Sequence, residues 1–186
     1  EALVLFAENG YKGANLRDLA ARLGLSKSAL YKHYASKEDI WNALLDRMIA
    51  YHAEHFGSAE HLPQMPKSTE ELYVLTMKML HFTINDPRII LTRKLLLTEQ
   101  CHDERVCKLA TKHFLIGTEN IFTIIFEKMM EDGLLKKEDP KMLAFIYTAP
   151  VTTLIQLCTR EPDKQEEVMR RIEEFIKYFI KTYGVK

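Results

Sequence analysis

The stretch from Asn15 to Ile40 constrains the fold most, because it contains the signals for two short helices, a tight turn and the start of a third helix. Asn15 is a favourable N-cap for the first of these helices. Its apolar residues recur at helical spacing, so we expect one face of residues 16–23 to be buried, with the side chains of Leu16, Leu19, Ala20 and Leu23.

The two short helices are separated by a glycine that favours a helix end. Gly24 has no Cβ and can adopt the left-handed backbone common at helix exits. We expect Leu25 to return to the core and Ser26 to cap a second helix over residues 27–34. A helix, a turn of this length and a second helix form a helix-turn-helix motif, whose second helix lies in the DNA major groove.

The second helix carries an outer face rich in hydrogen-bond donors. Leu30 is its anchor into the domain, and Tyr34, four residues later, is expected to pack beside it. Residues 12–37 contain six basic residues and one acidic residue, a net charge of +5 that favours phosphate binding. The predicted DNA contacts, including two helix caps, are Asn15, Ser26, Lys27, Ser28, Tyr31, Lys32, His33 and Lys37.

Several short motifs follow one another without gaps over residues 3–41: Phe6-x-x-x-Gly10-Tyr11, Leu16-Arg17-Asp18-Leu19-Ala20, Gly24-Leu25-Ser26-Lys27, Leu30-Tyr31-x-His33-Tyr34 and Ser36-Lys37-Glu38. They resemble the DNA-binding domain of the tetracycline-repressor (TetR) family of bacterial transcriptional regulators. The resemblance implies an all-helical homodimer that binds an operator and is released by a small-molecule inducer. Family members usually carry a basic N-terminal arm and a longer first helix. The sequence begins at Glu1, within that pattern, so the arm is expected to be missing from it.

The rest of the chain is predicted to be nearly all helix, because its 186 residues include only six prolines and seven glycines and no alternating strand pattern. We expect about nine helices: an N-terminal helix-turn-helix domain over residues 1–41 and a larger ligand-binding and dimerisation domain over residues 42–186. The first helix should end near Asn9, before a turn over residues 10–13. Helix 4, residues 37–56, should connect the domains and be followed by a linker over residues 57–68.

The second predicted domain supplies candidate ligand and dimer contacts. Apolar and isolated polar side chains on helices 5 to 8 have the composition of a largely apolar pocket: Met77, Phe82, Phe114, Thr118, Ile121, Phe122, Tyr147, Thr148 and Leu154. Helices 8 and 9 carry wide apolar stripes that we expect at the dimer interface: Phe145, Thr152, Ile155, Ile172, Phe175, Ile176 and Phe179. Pro150 should kink helix 8.

Composition limits the other functions. Three cysteines favour free thiols in a reducing cytoplasm, and no membrane span or signal peptide is expected. The 26 basic and 26 acidic residues cancel overall, so DNA binding must depend on local clustering. No motif indicates catalysis or a cofactor.

Two alternatives stay open at this stage. One is a helical protein-interaction module that does not bind DNA. The other is a metal-responsive or thiol-responsive regulator that uses Cys101, His102 and Cys107, with His52, His55 and His61 as a second weak metal candidate; neither group has the spacing of a strong metal site.

Overall fold

A computed structural model describes residues 1–57 and 64–185. Within these ranges the protein is built from nine helices and a short 3-10 turn at Pro162–Lys164, with no β-strand and one isolated bridge between Leu135 and Gly184. This confirms the predicted all-helical fold. The helices are α1 (Ala2–Gly13), α2 (Leu16–Arg22), α3 (Lys27–His33), α4 (Lys37–Phe56), α5 (Thr69–Asn85), α6 (Pro87–Glu99), α7 (Glu104–Thr111, Lys112–Ile116 and Gly117–Glu131 in succession), α8 (Pro140–Arg160) and α9 (Gln165–Tyr183).

Most of these helices begin where the sequence offers a capping side chain. Asn15 accepts a hydrogen bond from the backbone N–H of Arg17, and Asp139 accepts from the backbone N–H groups of Lys141 and Met142. These bonds satisfy donors that have no partner within the helix. Pro140 at the first position of α8 fits the same logic, because its missing N–H is not needed there.

The first helix is longer than predicted. Gly10 takes a left-handed φ of 67°, but the chain resumes helical geometry after this kink and continues to Gly13. The expected turn over residues 10–13 is therefore a kink within α1. Part of the predicted linker, residues 58–63, and with it Pro63 and His61, lies outside the described residues.

Three predicted burials in the helix-turn-helix region are wrong. Leu23, Leu25 and Tyr34 are all exposed. Leu23 is the C-cap of α2, so the helical face that buries Leu19 no longer directs its side chain inward. Tyr34 has extended backbone after the end of α3, which breaks the i+4 relation to Leu30 on which its predicted burial depended.

The first of two compact units contains Glu1–His55 and Pro87–Ala110. In this unit α1 packs against α6. Trp41 is fully buried, with its ring 4.9 Å from that of Phe6 in an edge contact and 5.1 Å from that of Tyr11. The aromatic cluster supports the start of α4, the helix that follows the helix-turn-helix motif.

The second unit contains Phe56–Asp86 and Thr111–Lys186. Its α8 packs against the last part of α7 and against α9, and α9 also contacts α5. At its centre Tyr147 lies 4.5 Å from Phe179 and 5.2 Å from Phe126, measured between ring centroids. The functional boundary predicted after Trp41 stays a prediction, because the compactness of a unit does not identify the residues that bind a ligand.

The apolar stripe of α9 belongs largely to the core of its own unit. Ile172, Ile176 and Phe179 are at most 1% exposed, and Phe175 is partly buried against the same cluster. The first three side chains are therefore not available to a second copy, which corrects their predicted place at a dimer interface. The stripe is wide because α9 packs on α5 and α8 of the same chain.

α8 retains an exposed apolar face. Its helical assignment is unbroken through Pro150, and Met142, Phe145 and Ile146 are all exposed. Among the described residues, α8 is also the one helix with the length and composition to cross a membrane, with 28% of its apolar window buried. No such segment was expected from the sequence, and length and composition alone are weak evidence for one.

α7 contains a π-helical turn at Lys112–Ile116. The N–H of Gly117 bonds to the carbonyl oxygen of Lys112, five residues earlier. A Cβ at Gly117 would lie 2.8 Å from that oxygen, so the close approach requires a glycine.

Candidate nucleic-acid interface

The helix-turn-helix region is stabilised by a small cluster of buried apolar side chains and by a hydrogen-bonded turn between α2 and α3. Leu16, Leu19 and Ala20 are buried, as predicted for α2. The turn closes through the N–H of Leu25, which bonds to the carbonyl oxygen of Ala20 at 2.8 Å. Gly24 has a φ of 66°, which an L side chain rarely adopts.

Only one residue of α3 is buried, and that is Leu30. The other predicted DNA contacts of this helix, Lys27, Ser28, Tyr31, Lys32 and His33, are all exposed. The structure therefore brings them together on one short helix whose outer face is polar and unoccupied by the protein core. Such a face can reach bases and phosphates of a duplex.

Two side chains at the start of α3 are already organised. The Oγ of Ser26 accepts a hydrogen bond from the N–H of Ala29 and lies 2.9 Å from the Oγ of Ser28. The Nζ of Lys27 lies 5.4 Å from the ring centroid of Tyr31. Because these contacts already restrict the side chains, less conformational entropy is lost when they bind DNA.

Lys37, at the first position of α4, is also held in place. Its ammonium lies 4.8 Å from the ring centroid of Tyr11 and donates to the carbonyl oxygen of Lys12 at 3.3 Å. Glu38 and Asp39 follow it in the first turn of the same helix. Sequence reasoning selected Lys37 but missed Tyr11 as its support, because the contact depends on how α1 ends.

One of the six basic residues counted over residues 12–37 is neutralised by an acidic residue outside that segment. Arg22 pairs with Glu8 across 2.6 Å, and this bond raises the pKa of the guanidinium. Glu8 precedes the segment over which the net charge of +5 was counted. Among the described residues, the five remaining cations of this segment form no ion pair and can bind phosphate: Lys12, Arg17, Lys27, Lys32 and Lys37.

A polar cluster behind this face was not predicted. The carboxylate of Asp103, between α6 and α7, accepts a hydrogen bond from Nε1 of Trp41 at 3.1 Å and pairs with Arg105 at 2.9 Å. Arg105 in turn bonds to Glu38 and Asn42 of α4. The sequence gives one indication of this cluster, which is that the N–H of a buried tryptophan needs an acceptor. That requirement does not identify the acceptor, which lies 62 residues away.

The candidate ligand residues lie in the second unit and are in part densely packed. Ile121, Phe122, Tyr147 and Thr148 are buried, while Met77, Phe82, Phe114, Thr118 and Leu154 are partly buried. Phe122 and Tyr147 contact each other with centroids 4.9 Å apart. The hydroxyl of Thr148 donates to the carbonyl oxygen of Ala144 in its own helix, so its proton is already used.

The metal and thiol alternative gains no support from the geometry. Cys101 and Cys107 are both exposed, and neither is part of a disulfide. Among the residues that the structure describes, no three His, Cys, Asp or Glu side chains are grouped so that they could hold a metal ion. His61, one of the weaker candidates, lies outside those residues.

The sequence family agrees with this geometry. Residues 1–44 match the family described as bacterial regulatory proteins, tetR family. Residues 1–44 therefore form a tetR-family domain.

Curated relatives match short stretches of this chain. The chain is 36% identical over 50 residues to the biofilm operon icaADBC HTH-type negative transcriptional regulator IcaR of Staphylococcus epidermidis. The aligned part is 27% of this chain and 27% of that regulator. The chain therefore aligns with about a quarter of the length of this relative.

Solved structures extend the likeness to the whole fold. A TetR transcriptional regulator from Chloroflexus aurantiacus has a TM-score of 0.77 at 16% identity, covering 100% of this chain and 93% of that one. SmeT of Stenotrophomonas maltophilia, in its complex with triclosan, has a TM-score of 0.73 at 17% identity, covering 100% and 88%. At these identities the likeness establishes the helical fold alone.

Proposed function

We propose that the protein is a sequence-specific DNA-binding transcriptional regulator. The observation that carries this proposal is the exposed, donor-rich face of α3, anchored by Leu30 alone and set in a tetR-family domain. A helix that only supported a core would bury more of its surface. The alternative of a protein-interaction module without DNA binding does not account for the lysines held on this face.

The residues divide into two roles. Lys27 and Ser28, at the start of α3, are placed to read base edges, because the first residues of a recognition helix usually do so. The remaining predicted contacts position the protein on the phosphate backbone: Asn15, Ser26, Tyr31, Lys32, His33 and Lys37.

The first experiment selects duplexes from a random pool with the wild-type chain and measures binding at several salt concentrations. Affinity should fall steeply with salt. Lys37→Ala should weaken binding to all duplexes alike and reduce the salt slope by about 0.9, the value expected for one phosphate contact. Lys27→Ala should instead change which sequences are selected.

The control for these variants is Lys181→Ala, which removes one exposed lysine from α9. It should bind like the wild type. If the chain selects no duplex at any salt concentration, the proposed function is wrong.

We further propose that the protein works as a homodimer through α8. Met142, Phe145 and Ile146 form an exposed apolar face, and Thr152 and Ile155 continue it as partly buried residues. A second copy packed on this face would cover it in an isologous interface. Two copies of α3 would then read an inverted repeat, with half-sites about 34–36 Å or somewhat more apart.

Light scattering at micromolar concentration tests the dimer. Phe145→Lys should convert the dimer to a monomer. Val74→Lys is a matched control, because Val74 is exposed on α5 and lies outside the proposed interface. Equal masses for the two variants would contradict this interface.

The regulator is proposed to be a repressor that a largely apolar small molecule releases from DNA. The name of IcaR as a negative regulator supports repression, and the complex of SmeT with triclosan supports an apolar ligand. The candidate site is the set of partly buried residues around Phe122 and Tyr147 in the second unit. A reporter gene downstream of the selected duplex should be silenced by the protein, and activation would contradict repression.

Triclosan, used as a probe, should lower duplex affinity and change the fluorescence of Trp41, the only tryptophan. The duplex must weaken probe binding by the same factor. If the probe binds free and DNA-bound protein equally well, this form of release is excluded.

A further inference from the structure

We propose that Asp103 is a positioning residue for the DNA-facing ammonium of Lys37, acting through Trp41 and Tyr11. The proposal rests on the proposed function, in which Lys37 contacts phosphate. Asp103 is far from Lys37 in sequence and outside the segment that matches the tetR-family domain. Three contacts within the first unit connect them.

The carboxylate of Asp103 is the centre of the first contact. Its Oδ2 accepts from Nε1 of Trp41 at 3.1 Å and from Nη2 of Arg105 at 2.9 Å. Its Oδ1 accepts from the backbone N–H of Arg105 at 2.8 Å and from the Nε of the same residue at 3.2 Å. Both oxygens are therefore saturated, which fixes the carboxylate relative to the indole.

Arg105 makes the arrangement rigid at the start of α4. The guanidinium that binds Asp103 also pairs with Glu38 at 3.3 Å and bonds to Asn42. Glu38 directly follows Lys37, and Asn42 lies one turn later on the same helix. The α6–α7 turn thereby holds the first turn of α4 from two sides, by the indole and by the guanidinium.

The aromatic rings complete the path to Lys37. Trp41 is fully buried and its ring lies 5.1 Å from that of Tyr11. Tyr11 also stacks on Phe6 at 6.1 Å, and the ammonium of Lys37 lies 4.8 Å from the centroid of the tyrosine ring. Because the indole fixes the tyrosine ring, and the ring attracts the ammonium, a change at Asp103 is transmitted to a group on the proposed DNA face.

The test compares Asp103→Ala with Glu104→Ala. Both variants remove one carboxylate from the same turn, but the carboxylate of Glu104 pairs only with the exposed Lys108 in its own helix. Circular dichroism checks that both variants fold. Three quantities are then measured: quenching of Trp41 by acrylamide, acetylation of Lys37 relative to Lys141, and affinity for a duplex selected by the wild-type chain.

Asp103→Ala should make Trp41 accessible to acrylamide and raise the acetylation of Lys37 about threefold, because the ammonium loses its fixed place over the ring. Its duplex affinity should fall about tenfold. Glu104→Ala should leave all three quantities unchanged.

Two variants of Tyr11 test the path independently of Asp103. Tyr11→Phe keeps the ring under Lys37 and should retain the wild-type acetylation rate and duplex affinity. Tyr11→Leu removes the ring and should reproduce the acetylation and affinity changes of Asp103→Ala. If Asp103→Ala does not fold, equal acetylation in Tyr11→Leu and Tyr11→Phe still overturns the proposal.

The possible failures are distinguishable. If the wild type selects no duplex, the proposed function fails, and the acetylation of Lys37 still decides whether Asp103 positions it. If Asp103→Ala leaves Lys37 acetylation unchanged, or changes it without lowering duplex affinity, the proposal is overturned. The same holds if Tyr11→Leu behaves like Tyr11→Phe.

Discussion

The two compact units each bury one large aromatic side chain with a polar atom, but they satisfy that atom differently. In the first unit, the indole of Trp41 donates to the ionised carboxylate of Asp103, which also binds Arg105. In the second, the hydroxyl of Tyr147 lies 2.7 Å from that of Thr76, and both groups are neutral. An ionic partner makes the first site sensitive to acid, whereas the second site has no charge to lose.

The difference extends to the surroundings. Trp41 lies in α4, one turn after the proposed phosphate contact Lys37. Tyr147 is enclosed by Phe122, Phe126 and Phe179. A neutral aromatic core gives stability that changes little with salt or with acid pH. In the first unit, the position of α4 instead depends on the ionised side chains of Asp103 and Arg105.

The largest effect is expected from removing part of the neutral core. Phe179→Ala should lower the free energy of unfolding by about 3–5 kcal/mol, because Phe179 is 1% exposed and contacts both Tyr147 and Phe126. Urea unfolding followed by circular dichroism measures this. Tyr178→Ala, at an exposed position of the same helix, is the control and should change the stability by less than about 0.5 kcal/mol.

A smaller effect should separate the two partners of the neutral hydrogen bond. The hydroxyl of Thr76 donates to the carbonyl oxygen of Leu72, so the proton between Thr76 and Tyr147 comes from the tyrosine. Thr76→Val leaves a buried donor unsatisfied and should cost about 1–3 kcal/mol. Tyr147→Phe leaves Thr76 with its bond to Leu72 and should cost less, about 1 kcal/mol. Equal costs in urea unfolding would contradict this direction of the bond.

The smallest effects concern pH and act in opposite directions on the two sites. Arg105 and the indole lower the pKa of Asp103 to about 2, below its ordinary value of 3.8. The carboxylate therefore stabilises the fold above pH 3.8 and loses this contribution as the pH falls towards 2, by up to about 2 kcal/mol. Trp41 fluorescence should report the loss, and Asp103→Ala should lack this step.

Burial raises the pKa of Tyr147 above its ordinary value of 10.0. Its contribution is complete below pH 10 and is lost as the pH rises, because the unfolded chain releases the proton first. The wild type should lose stability relative to Tyr147→Phe in alkali, measured by urea unfolding. A constant difference between the two proteins from pH 8 to pH 11 would contradict the assignment.

The sequence predicted the features that depend on neighbouring residues. The caps at Asn15, Ser26 and Asp139 were found because a cap and its partner lie two or three residues apart. Leu30 was identified as the anchor of α3 because the other residues of that helix are polar. The outward face of α3 follows from the same local pattern.

The features that were predicted wrongly, or not at all, depend on where a helix ends or on contacts between residues far apart in the sequence. Tyr34 and Leu23 were expected inside because the helical period was extended one residue too far. The partners of Trp41 and Tyr147 are 62 and 71 residues away, and no local pattern identifies them. The stripe of α9 was visible in the sequence, but a stripe does not distinguish a core of one chain from an interface between two.

The π-helical turn in α7 changes how that helix must be read. A turn with one additional residue shifts every later side chain by about 100° around the axis, since an α-helix has 3.6 residues per turn. A helical wheel drawn with one period over α7 therefore assigns wrong faces on one side of Lys112–Ile116. Loss of a single residue from this turn would leave a regular α-helix with Ile125, Phe126 and Met129 still on the core face, whereas loss of a residue between this turn and Ile125 would rotate all three away from the core. In this helix the number of residues, as well as their identity, determines which side chains are buried.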